Sequence, residues 1–187
     1  WRFLKKYLLS SFFILTSSYL FSANDLFQHD DQILQLNKNQ LLLIAVRQGE
    51  TDEITRLLHE GACIHYKDDY KRGALYYSVA SDHKEAFEVI MNTPEVRVNT
   101  RDHHNATPLH VASHLGNTFM IEKLLARGAN PNALNAWKMT ALDVLMSPDQ
   151  KGRAPLDRMS AERQTTIRAL LEKAGGKRSL RAPSAQD

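Results

Sequence analysis

A single cysteine in 187 residues excludes an internal disulfide framework and any zinc site built from several cysteines. A glycine-rich phosphate loop, a Gly-x-Ser-x-Gly turn and a His-Glu-x-x-His helix are all missing from the chain, so the best-marked phosphate-binding, hydrolase and metalloprotease signatures do not apply. Asp25, Asp30, Asp31, Asp68, Asp69 and Asp102 form no spaced pair suited to general acid–base work. Nothing here supports an enzyme. With 43% hydrophobic and 24% charged residues, the chain is neither a disordered polymer nor a multi-pass membrane protein.

What charge excess exists sits at the front. Lys plus Arg number 24 against 21 acidic residues, a net charge of +3 and a pI near 9.0, which taken alone suggests an anionic partner. Arg2, Lys5 and Lys6 carry all of it and precede an uncharged run, Tyr7 to Ala23, rich in Leu and Phe. A positive stretch, an apolar stretch and a small residue at its end read as a secretory signal peptide over residues 1–23, cleaved after Ala23. The lysines stay on the cytoplasmic side while the apolar run enters the bilayer. The alternative is an uncleaved inner-membrane anchor formed by residues 7–23. Without residues 1–23 the chain holds 21 basic and 21 acidic residues and loses 7 of its 15 aromatics. The expected mature body is neutral, polar, and periplasmic or secreted.

Two motifs recur in one register. Thr107-Pro108-Leu109-His110 returns 33 residues later as Thr140-Ala141-Leu142-Asp143, and its slot holds Gly73-Ala74-Leu75-Tyr76 and Gln40-Leu41-Leu42-Leu43 upstream. Leu57-Leu58-His59-Glu60-Gly61-Ala62 matches Leu124-Leu125-Ala126-Arg127-Gly128-Ala129 at an offset of 67 residues. Ile90-Met91 and Leu170-Leu171 fill the same slots in the other two units. Fixed periods of this length mark stacked structural repeats.

Residues 102–134 resemble an ankyrin repeat, with Thr107-Pro108-Leu109-His110, Ala112, Gly116, Leu124-Leu125, Gly128-Ala129 and Asn132-Ala133 in family positions. The resemblance covers about residues 35–176 and implies an all-α repeat solenoid of about four units. Their expected spans are 35–67, 68–101, 102–134 and 135–176, after a polar leader at 24–34 and before a flexible tail at 177–187. The residue chemistry agrees with this. Thr107 and Pro108 suit a helix start. Ala45 and Ala112 are small enough for close helix packing. Gly49 and Gly116 end first helices, and Gly61 and Gly128 suit left-handed caps. One unit cannot bury its own apolar face, but a stack can.

The departures carry information too. The second unit ends in Asn92-Thr93-Pro94-Glu95, one residue longer than the Gly-Ala turns, and has Asp82 where other units have glycine. Lys71, Asn105 and Lys138 occupy the finger position usually held by glycine, and only Asn105 is a comfortable left-handed residue. The fourth unit carries 13 extra residues within 146–159, including Pro148, Gly152 and Pro155, so this insertion cannot continue a helix.

By the resemblance, partners dock on a strip of finger tips and first-helix faces. Its candidate residues are Arg47, Gln48, Asp69, Tyr70, Arg72, His103, His104, His114, Leu115, Trp137 and Met139, with Ala80, Ser81, Ala106 and Ala136 beside them. Tyr70 and Trp137 share one finger position in two units and suit interface anchors; the alternative for Trp137 is folding back onto the third finger or the insertion. His110 is expected to bridge adjacent loops, and Tyr76, Tyr77 and Phe87 to pack in the core. Lys173, Lys177, Arg178 and Arg181 complement a helix C-terminus.

Two functional readings follow. The first is an exported, non-enzymatic, monomeric module that binds a protein partner, with no cofactor and no nucleic acid, and no membrane contact after cleavage. Its role would be inhibition, immunity, chaperoning or assembly. The second is a periplasmic metal-binding or redox-protection protein using His103, His104, His110, His114 and a lone, semi-buried Cys63 near His65.

Overall fold

The computed structural model describes residues 37–147 and 160–179. The candidate signal peptide, the leader, nearly all of the 146–159 insertion and the tail beyond residue 179 lie outside them. Among the described residues there are eight helices and no strand apart from one isolated bridge between Lys67 and Gly73. In chain order they are α1 (37–48), α2 (Thr51–His59), α3 (Ala74–Ala80), α4 (Lys84–Asn92), α5 (Pro108–Leu115), α6 (Thr118–Ala126), α7 (Ala141–Met146) and α8 (Ala161–Lys173). Each odd-numbered helix is followed by its even-numbered partner, giving four helical pairs. α5 packs on α3 and α7, while α2 packs on α4 and α8 on α6. The pairs therefore stack in two rows, as the sequence period requires.

The core repeats with the motif. Leu42, Leu75, Leu109 and Leu142 are buried in the first helices, and Ile54, Phe87, Ile121 and Ile167 in the second helices. Ala45 and Ala112 are at most 2% exposed, which lets successive first helices approach closely. The slot of Val46 and Val79 holds Ser113 in the third unit, and its buried hydroxyl has no hydrogen-bond partner among the described residues.

Helix ends follow the sequence closely, with local departures. Gly49 and Gly116 are left-handed at φ 78° and 70°, and a Cβ on Gly49 would stand 2.9 Å from the His83 ring. Asp82 takes their place in the second unit at φ 57°, and its carboxylate accepts a hydrogen bond from Asn117 Nδ2. α4 ends at an extended Thr93 instead of a Gly-Ala turn, and Arg127 covers that end by donating to the carbonyls of Met91 and Thr93.

Two expectations are corrected here. The first residues of the predicted tail are held: the Lys177 N–H donates to Asn132 Oδ1 at 2.8 Å and the Ser179 N–H to Asp143 Oδ2 at 2.8 Å. Arg178 pairs with the buried Asp143 carboxylate at 3.3 Å instead of serving a helix C-terminus. Asp143 fills the His110 slot in the last unit, and there it accepts from the chain that follows.

Candidate interaction surface

The fingers are built by one side chain used three times. Asp68 Oδ1 accepts the N–H groups of Tyr70 and Arg72 at 3.0 and 2.9 Å. Asp102 Oδ1 does the same for His104 and Ala106 at 2.9 and 2.8 Å, and Asn135 Oδ1 for Trp137 and Met139 at 3.0 Å each. These are Asx turns, in which a short side chain replaces the backbone as acceptor. Each closes the tip so tightly that the residue before the last must be left-handed. Lys71, Asn105 and Lys138 accordingly sit at φ 58°, 56° and 60°, lysine being forced into a region that Asn tolerates better.

Neighbouring tips are joined by one repeated backbone bond. The His103 N–H donates to the Tyr70 carbonyl at 3.0 Å, and the Ala136 N–H to the His104 carbonyl at 2.8 Å. This register places Tyr70, His104 and Trp137 at equivalent positions, with His103 filling the gap between the first two. The rings form a row: Tyr70 to His103 at 5.4 Å, His103 to His104 at 3.6 Å, and His104 to Trp137 at 4.9 Å between centroids. Tyr70 and Trp137 remain 54% and 58% exposed. Trp137 thus leans on the third finger and still offers most of its indole to solvent.

The row ends in a polar cluster. The Arg72 guanidinium lies 4.4 Å from the Tyr70 ring and 5.1 Å from Tyr77, and pairs with Asp68 at 3.1 Å. Tyr77 donates its hydroxyl to Asp68, and Arg47 stands 5.3 Å over the Tyr77 ring. Burial raises the Asp68 carboxyl, but the bonds from Tyr77 and Arg72 outweigh it and hold the group below its ordinary value. Burial, then the Asp68 carboxylate, pushes the Tyr77 hydroxyl up to about 12. Arg47, Tyr66, Asp68, Asp69 and Tyr77 line a cleft of about 320 Å³ against α1.

Of the expected strip, the structure brings Tyr70, Arg72, His103, His104 and Trp137 into one row, with Arg47 joined through Tyr77. Gln48, Asp69, His114 and Leu115 are exposed beside it. Met139 contributes through its backbone, whose carbonyl accepts from Asn135 N–H at 3.1 Å and lies 3.0 Å from His110 Nε2. Sequence reading missed Asp68, Asp102 and Asn135 as the finger builders. Their spacing of 34 and 33 residues was the available signal. It also gave Tyr77 to packing alone, whereas its hydroxyl is a working part of the cluster.

His110 bridges as expected. Thr107 donates its N–H to His110 Nδ1 at 3.1 Å, so Nε2 carries the proton and donates to Met139. Burial holds this imidazole below its ordinary value, against the opposing effect of the Met139 and Ala133 carbonyls. Cys63, expected to be semi-buried, is exposed; its backbone N–H donates to Asn39 Oδ1 at 2.7 Å. Among the described residues no three His, Cys, Asp or Glu side chains converge to hold a metal ion, and no helix there is long and apolar enough to cross a membrane.

Comparison with known proteins agrees with this geometry. A family model described as ankyrin repeats (3 copies) matches residues 42–135. Neurogenic locus notch homolog protein 1 of Danio rerio is 31% identical over 101 residues, 54% of this chain and 4% of that protein. Neurogenic locus Notch protein of Drosophila melanogaster is 33% identical over 89 residues, 48% of this chain and 3% of its own length. Delta-latroinsectotoxin-Lt1a of Latrodectus tredecimguttatus is 30% identical over 83 residues, 44% and 7% respectively. The matched segments therefore span less than a tenth of these relatives.

Proposed function

Because the chain belongs to the ankyrin repeat family, we propose that it is an exported, non-enzymatic module that binds a partner protein across its finger tips. Ankyrin repeats generally mediate protein–protein interaction, which makes binding the coarse expectation for any such stack. The observation that carries the finer reading is the ring row from Tyr70 to Trp137. Its two ends are exposed aromatic anchors on a backbone fixed by three Asx turns and two inter-finger bonds. A rigid surface binds with little ordering cost, and Tyr and Trp bury much area with few rotamers to freeze. At its Tyr70 end the row meets a charge-balanced cluster, in which Arg72 pairs with Asp68 and Arg47 stands over the Tyr77 ring. The mechanism is presentation of a fixed surface, as expected of an inhibitor, immunity factor, chaperone or assembly partner.

Export rests on residues 1–23, with their cations followed by an uncharged apolar run. Fractionation with mass measurement tests it: a mature N-terminus at Asn24 is expected, and an intact chain in the membrane fraction would favour the anchor. For the binding surface, affinity capture with the full chain is compared with a Y70A/W137A variant of matched thermal stability. The variant should lose proteins that the parent captures. An unchanged captured set would show that the row is not the docking surface.

A further inference from the structure

The turns that follow the second helices are tied to the preceding unit by an asparagine rung. Asn99 accepts the Asn130 N–H at 2.8 Å and donates Nδ2 to the Gly128 carbonyl at 3.0 Å. Asn132 accepts the Lys177 N–H at 2.8 Å and donates to the Gly175 carbonyl at 2.8 Å. One unit earlier, the same slot is His65, opposite the irregular turn through Thr93, Pro94 and Glu95. His65 makes no such bonds among the described residues. Where the rung is missing, a cleft of about 650 Å³ opens between residues 64–67 and 96–101.

Its lining is chemically one-sided. Lys67, Arg97 and Arg101 bring three cations and His65 an imidazole, and among the described residues no Asp or Glu lines the cleft. Lys67 donates to the Arg101 carbonyl at 3.0 Å, and Arg101 to the carbonyls of Asn105 and Leu134 at 3.2 and 2.8 Å. These partners are neutral, so the positive charges have no counter-charge in the lining. Arg97 is exposed and has no partner among the described residues. Ile64 and Leu75 add an apolar side to the cleft.

We propose that this cleft is a second protein-docking site, separate from the ring row, which takes an acidic peptide segment carrying an apolar side chain. Unpaired cations over apolar surface call for carboxylates and an apolar contact together. The volume lies within the roughly 300–1,000 Å³ of ligand-sized sites. A nucleic-acid strand fits less well, because no Phe, Tyr or Trp lines the cleft on which a base could stack. None of the ring-row residues belongs to the lining, so the two surfaces can be tested apart.

The test is fluorescence anisotropy on the full chain, using a labelled peptide of alternating aspartate and leucine. The control peptide carries asparagine in place of aspartate. The acidic peptide should bind saturably, and the control at least about tenfold more weakly. The K67Q/R97Q variant changes two exposed side chains and should melt like the parent, yet lose about fivefold or more in affinity for the acidic peptide. Y70A/W137A should bind it unchanged. The proposal is overturned by no saturable binding up to about 1 mM, by equal binding of both peptides, or by an unaffected K67Q/R97Q variant. Loss of binding in Y70A/W137A, or tighter binding of a single-stranded oligonucleotide of equal charge, would also overturn it.

Discussion

Replacing Asp102 separates acceptor geometry from charge. Its side chain is 6% exposed, and one oxygen holds two finger amides at 2.9 and 2.8 Å. In D102A both amides lose their acceptor. Bonds to a charged acceptor contribute about 1.5–3 kcal/mol each, and water reaches the exposed His104 side of the tip, so a net loss of about 2–4 kcal/mol is expected. For a chain of this size that lowers the melting temperature by about 4–16 °C, at roughly 2–4 °C per kcal/mol. D102N keeps an oxygen at the same place, as Asn135 does in the next finger, and should cost less than about 1 kcal/mol. Urea and thermal unfolding followed by circular dichroism give both values. Equal damage from D102N and D102A would mean that charge, and not the acceptor, holds the finger. A D102A loss below about 0.5 kcal/mol would mean that neither does.

Three further outcomes follow. S113A should stabilise by about 1 kcal/mol, since it removes a buried hydroxyl that has no partner among the described residues; a loss in urea unfolding would count against that assignment. K138G relieves a left-handed lysine at φ 60°, a strain of about 1–2 kcal/mol partly offset by glycine's extra freedom in the unfolded chain, so a net gain of about 0.5 kcal/mol should appear in the same assay. His110 is held neutral by burial, with its folded value below that of the unfolded chain. Its contribution is complete above about pH 6.5 and is lost as pH falls through the window beneath, because the unfolded chain then binds the extra proton. Stability of the parent measured from pH 7.5 to 5 should fall more steeply than that of H110Q, and identical slopes would remove His110 as the cause.

Much of the architecture was readable because it repeats. Thr107, Pro108, Leu109 and Gly116 each have a local conformational reason for their place, and the period assigns their counterparts to stacked helices. What the sequence concealed depends on neighbours across units. Asp68 and Asp102 read in the sequence only as aspartates that form no acid–base pair. Only the amides folded around them reveal Asx turns, although Asn135 at the same period held the clue. Lys71 and Lys138 are poor left-handed residues by propensity, yet closure of the finger overrides it. Cys63 is exposed, and the bond that holds its backbone comes from Asn39, 24 residues away. Sequence alone assigns Arg178 to a helix C-terminus, because its partner Asp143 lies on the far side of the insertion. The cleft at His65 arises from a missing bond, which no periodic reading supplies.

Site-specific photocrosslinking shows whether a partner meets the ring row. Benzoylphenylalanine is placed at Trp137, and in a control at Glu122, an exposed residue of α6. Both full chains are irradiated in the cells that express them. The row predicts a covalent adduct of discrete mass from position 137 and none from position 122. Adducts from 122 alone, or the same products from both, would contradict it.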